Sequence, residues 1–170
     1  MVVLPAVVLA QQFNSTSMPA MPGMDHSQPT KMIKGSDNPA AIPDATAYRL
    51  YFIAIGNPLN PTAAMIARQR AHVAKIGLAS ADAQALIPLL DSFKIRFAVI
   101  TTAYNAQVEA AVKSGTQVPS VAAFFALRDQ LVTDQRARLA LAMTPTGMAQ
   151  FDAHIQHEKS GMTVSAPGAQ

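Results

Sequence analysis

Few side chains in this 170-residue sequence are of types and spacings that do chemistry, and most of them lie near its beginning. Met18, Met21 and Met24 recur at intervals of three, His26 follows two residues on, and Met32 lies just beyond. Thioethers are neutral, soft donors that suit Cu(I) and do little for zinc, magnesium or calcium; an imidazole adds a nitrogen ligand that also suits Cu(II). The surrounding residues are Pro, Gly, Ser, Thr and Gln with no apolar period, so packing in a core does not account for methionines there. Met18, Met21, Met24 and His26 are therefore the expected copper ligands.

A second constellation lies near the other end. His154, His157 and Glu158, at positions i, i+3 and i+4, share one face of a helix. Two imidazoles and a carboxylate are a partial ligand set for a divalent transition metal, which would need a fourth ligand from elsewhere. The same residues also suit a solvated last helical turn, where histidine complements the dipole. His72 shares the outer side of a helix with Arg68 and Lys75, cations that oppose a bound metal.

The sequence excludes more than it offers. It has no cysteine, so disulfides, zinc fingers, iron–sulfur clusters, covalent haem and cysteine nucleophiles are ruled out. There is no HExxH, GxSxG, P-loop or glycine-rich phosphate loop. Asp44, Asp91, Glu109, Asp129 and Asp134 lie on separate elements with nothing to pair them as acid and base. An enzyme is not expected. The 13 basic residues against 10 acidic are dispersed and lack interleaved aromatics, which argues against nucleic acid.

The elements that must position these groups are helical. The stretch Ser80–Ser114 carries Leu86, Leu90, Phe93, Phe97, Ile100, Tyr104, Val108 and Ala111 at spacings of three and four, a single helical stripe. Ser80 is its expected N-cap, Asp82 suits the dipole, and Gly115 is the expected left-handed stop. Pro88 either kinks this helix or begins it; the unbroken phase of the stripe favours the kink. Lys94 and Arg96 read as flanks of the core.

Four further helices are expected. The first covers 45–55, capped by Asp44 and stopped by Gly56. It is apolar nearly all round, so it must be well buried or covered by a partner or a second copy of the chain. The second runs from Asn60 and Pro61 to Gly77 and buries Met65, Val73 and Ile76. The fourth spans 120–142, with Phe124, Leu127, Leu131 and Leu139 inward and Arg128, Asp129, Asp134, Arg136 and Arg138 mostly outward. The short connection 115–119 makes it an antiparallel neighbour of the long helix. The last opens at Thr144 and Pro145, with Met148, Phe151 and Ile155 as its stripe.

The fold class expected is thus all-α: an antiparallel hairpin of two long helices with three shorter helices packed on it. Residues 1–10, MVVLPAVVLA, read as the truncated end of a secretory signal cleaved before Gln11, and they are too short to span a membrane. Residues 11–42 read as a disordered Met/Pro-rich linker, 43–160 as the helical domain and 161–170 as a disordered tail. A periplasmic or secreted protein follows.

Three stretches carry resemblances. SMPAMPGMDHSQ resembles the Met-rich segments of bacterial periplasmic copper-resistance proteins, which implies copper binding there. IPDATAYRLYF, LASADAQALIPLL and MTPTGMAQFDAHIQHEK together resemble a little-characterised family of secreted bacterial helical proteins. LAMTPTGMAQF is similar to the LTPxQ-type turns of the Spy/CpxP periplasmic chaperones, which implies thin helical dimers that bind other proteins. In these stretches a non-enzymatic copper-binding protein and a chaperone-like interaction module with no metal remain the two expectations.

Overall fold

The computed structural model describes residues 32–165. They divide into two units, Pro43–His157 and a smaller one formed by the residues on either side of it.

The larger unit is all-α, with α1 Asp44–Ile55, α2 Ala63–Ala74, α3 Ser80–Ser114, α4 Val121–Ala142 and α5 Pro145–Glu158, whose last residue passes to the smaller unit. The 35 residues of α3 form one helix with Pro88 inside it. Gly115 takes the left-handed conformation at its end, φ 66° and ψ 21°, where a Cβ would be strained. α4 returns antiparallel along α3. Tyr104 stacks on Phe124 near the connection, with ring centroids 4.8 Å apart. At the other end Gln135 donates to the Leu89 carbonyl at 2.7 Å.

α1, α2 and α5 pack on the end of the hairpin where α3 begins and α4 ends. The core there is aromatic. Phe52 of α1 lies 4.8 Å from Phe93 of α3, and Phe151 of α5 stacks on Phe52 and meets Tyr48 and Tyr51 edge-on. Ala47, Tyr48, Tyr51, Phe52 and Ile55 are buried, so the wide apolar surface of α1 is covered by the chain itself. Gly56 follows α1 with an ordinary extended backbone, φ −60° and ψ 150°. It is needed for space: a Cβ there would stand 2.3 Å from the Leu90 carbonyl oxygen of α3.

Several boundaries and faces differ from expectation. Pro43, not Asp44, is the N-cap of α1, and Asp44 sits in the first turn. α2 is capped by Thr62, whose hydroxyl accepts from the Met65 amide at 3.3 Å, two residues past Asn60 and directly after the proline expected to open the helix. Ala79, not Ser80, caps α3, and the Ser80 hydroxyl accepts from Gln84 within the helix. Leu127 points outward, 55% exposed. Arg136 turns inward instead, with its guanidinium over the Tyr48 ring at 4.3 Å.

The smaller unit contains structure in both segments expected to be unfolded. β1 Met32–Lys34 pairs antiparallel with β2 Thr163–Ser165, and Ile33 faces Val164 in the register. Short 3-10 turns at Pro39–Ala41 and Lys159–Gly161 accompany the ribbon. Gly35 donates its amide to the Met162 carbonyl at 2.7 Å, and a Cβ at Gly35 would collide with the Lys159 carbonyl at 1.7 Å. Among the described residues no helix is long and apolar enough to cross a membrane.

Candidate functional site

Three polar side chains meet where α1 ends, α2 begins to pack and α3 passes beneath. Gly56 brings the chain against α3, and the next amide, Asn57, donates to Asp91 Oδ1 at 2.7 Å. Gln69 of α2 donates to the same oxygen at 2.6 Å and accepts from Asn57 Nδ2 at 2.7 Å. Asn57 and Gln69 are 4% and 2% exposed, so their amides are held away from water by these bonds.

Beside this network lies a cavity of about 40 Å³, near the volume of one or two waters. Arg68 and His72 of α2 and Lys94 of α3 wall it, with Met65, Asn57 and Gln69 further in. Arg68 is exposed at the rim, while His72 and Lys94 are half-buried. Burial, and after it the Arg68 charge, lowers the Lys94 pKa; Asp91 opposes both. The basic side of α2, expected to be plain solvated surface, is thus one wall of a depression, and Lys94 is the opposite wall and not merely a flank of the core.

A second polar cluster lies between α1 and α5. Tyr48 donates its hydroxyl to Asp152, and Arg136 covers the ring of the same tyrosine. Burial, followed by the hydrogen bond to Asp152 and its negative charge, pushes the Tyr48 hydroxyl well above the ordinary tyrosine range. A phenol held protonated in this way is a donor and not a base. On the other side of α1, burial and then the Arg128 charge bring Arg49 down to about 10, which leaves its guanidinium charged at neutral pH.

A third lies at the start of α3. Asp82, 3% exposed, accepts from both the amide and the hydroxyl of Thr144, the residue before α5.

The expected copper ligands Met18, Met21, Met24 and His26 lie outside the described residues. Met32, beyond them, is half exposed on β1, with its sulfur 3.8 Å from the Ser165 hydroxyl. At the other expected metal position, His154 lies edge-on to Tyr51 at 5.4 Å, and His157 and Glu158 are exposed. Among the described residues no group of three or more His, Cys, Asp or Glu is placed to hold a metal ion.

The Asn57–Gln69–Asp91 network escaped the sequence, although one signal for it was present. Gln69 falls four residues after Met65 and four before Val73, in phase with the buried side of α2. A polar residue in such a position must find a buried partner. Comparison with protein-family models, with curated proteins and with solved structures gives no match.

Proposed function

We propose that this chain is an exported, non-enzymatic helical protein that binds copper through Met18, Met21, Met24 and His26. One observation carries the proposal: three thioethers at intervals of three, with an imidazole beside them, in a segment whose composition has no apolar core to serve. Soft sulfur donors select Cu(I) over the harder divalent ions. The apolar run MVVLPAVVLA, ending in the small residue Ala10, supports export. The dispersal of acids and bases, with no nucleophile set, supports a role in binding rather than catalysis.

The test is an anaerobic Cu(I) titration of the chain from Gln11 onward against a colorimetric Cu(I) chelator. Stoichiometric competition by the wild type, lost in the triple Met18/Met21/Met24→Ala variant and kept in a His154/His157→Ala variant, is the expected result. Loss in the histidine variant alone would move the site to the end of α5. Absence of competition by the wild type would remove the copper reading.

A second reading, a chaperone-like or protein-interaction module without metal, is favoured by the half of the hairpin away from the aromatic core. Val99 and Val112 of α3, with Leu127 of α4, are each more than half exposed there. With α1 covered by its own chain, this half of the hairpin is the surface such a module would use. Suppression of aggregation of an unfolded client by the wild type, reduced in a Val99/Leu127→Ser variant, would support it.

A further inference from the structure

We propose that the cavity between the end of α1, α2 and α3 binds a small oxyanion, a phosphate or carboxylate group, through Arg68, Lys94 and the side-chain amides of Asn57 and Gln69. This goes beyond the copper reading and does not depend on it.

The argument begins with donors and acceptors. Asp91 is the one acid of the network, and its Oδ1 already accepts from the Asn57 amide and from Gln69. Gln69 Oε1 is taken by Asn57. A carboxamide nitrogen carries two hydrogens, and these bonds use one on each residue. Asn57 and Gln69 therefore each still offer one N–H, beside a single uncommitted carboxamide oxygen, Asn57 Oδ1, from side chains that are more than nine-tenths buried. Around them stand a guanidinium and an ammonium, which are donors only.

Charge points the same way. Lys94 makes no direct hydrogen bond or ion pair among the described residues, although it is half-buried. Its lowered proton affinity reflects that position: burial and Arg68 outweigh the attraction of Asp91. Arg68 reaches the Ala54 carbonyl at 3.5 Å, a long contact that leaves most of its five donors for other partners. The end of α1, which is the negative end of that helix, is answered by this contact. An anion between Arg68 and Lys94 would relieve their repulsion and satisfy the remaining amide hydrogens together.

Size sets the ligand. A cavity of about 40 Å³ takes one or two oxygens of a head group, and the rest of the ligand stays outside, past the exposed Arg68. Two cations favour a phosphate over a singly charged carboxylate, while both present oxygens to the same donors.

The experiment is a ¹H–¹⁵N titration of the full chain with inorganic phosphate at fixed ionic strength in chloride, with a parallel arm in acetate. The expected result is saturable movement of the Asn57 and Gln69 side-chain amide signals. Arg68→Gln and Lys94→Met should each weaken binding about tenfold, the loss of one charge-assisted contact. Arg70→Gln, on the same helix but away from the cavity, should leave it within about twofold, as a long-range screened charge does. Saturation in phosphate, acetate or both supports the site, and the tighter arm names the head group. Absence of saturation in both arms overturns it, as does equal weakening by Arg70→Gln. Circular dichroism of each variant separates loss of binding from loss of fold.

Discussion

Asp82 holds Thr144 by two hydrogen bonds, from the backbone amide and from the side-chain hydroxyl, each 2.7 Å long, across 62 residues of sequence. The Thr144 hydroxyl in turn accepts from the Gly147 amide at 3.0 Å, so the residue that caps α5 is itself fixed by a carboxylate in the first turn of α3. The helices start so close together that a Cβ at Gly147 would stand 2.2 Å from Asp82 Oδ2. A negative group between two helix N-termini is favoured by both dipoles.

Removing Thr144 leaves the buried Asp82 without its two donors, and removing Asp82 frees the exposed Thr144 at the start of α5. Thr144→Ala should destabilise the chain by about 1–3 kcal/mol, the cost of an unsatisfied buried carboxylate, and Asp82→Ala by about 1–2 kcal/mol, the loss of hydrogen bonds to a charged group. The double variant should cost less than the sum, with a coupling of about 1 kcal/mol or more, as for residues in direct contact. Urea unfolding of the four proteins measures this. Strict additivity would mean that the two hydrogen bonds contribute nothing to stability.

Two glycines should respond to alanine for opposite reasons. Gly77 has φ 76° with nothing within 4 Å of a Cβ, so its substitution costs only the left-handed conformation, about 1–2 kcal/mol. Gly56 has an ordinary backbone, but its Cβ would meet the backbone of α3, which cannot move without separating α1 from α3. Gly56→Ala should cost about 3 kcal/mol, the upper end for overpacking. It should also disturb Asn57 and Asp91 next to it, visible as a shift of the Asn57 side-chain signals that Gly77→Ala does not produce.

The helices were legible because their apolar residues recur at three and four, and that period survives whatever the helices pack against. Capping was less so: Pro61 suggested a helix start, but Thr62 offers the hydroxyl and takes the role. The ribbon at 32–34 and 163–165 was not legible. Three-residue strands carry too little alternation to register, and their pairing spans most of the chain. The polar interior left a signal that apolar counting discards. Asp82 precedes Leu86 and Leu90 at spacings of four, Gln69 lies between Met65 and Val73, and Gln135 lies between Leu131 and Leu139. All three are buried in phase with the stripes. Leu127 fails for the reverse reason. It keeps the period, but its side chain lies on the outer side of α4, 55% exposed.

Alkaline pH should unfold the chain through Tyr48. Its hydroxyl is raised well above the ordinary tyrosine value, first by burial, then by the bond to Asp152 and its charge. In the unfolded chain the phenol ionises near its ordinary value while the folded one stays protonated, so stability is retained below about pH 10 and falls as pH rises beyond it. Tyr48→Phe should be less stable at neutral pH by about 1–2 kcal/mol, because Asp152 loses its donor. It should also show a flatter decline above pH 10. Equal slopes in the two proteins would place the alkaline transition on other groups.

Pro88 sits inside α3 on an exposed face, two residues after Leu86 and two before Leu90, both of which are buried. It supplies no amide to the Gln84 carbonyl and crowds it, a combination that costs roughly 3 kcal/mol in a regular helix. Pro88→Ala adds the missing donor and removes nothing from the core, so it should stabilise the chain by about 1–3 kcal/mol. The urea midpoint should rise with an unchanged slope. The opposite result would carry its own meaning. If alanine destabilises the chain, the backbone that Pro88 sets is what lets Asp82 reach Thr144 while Leu90 and Phe93 stay in the aromatic core, and Pro88→Ala combined with Asp82→Ala would cost less than the sum of the two.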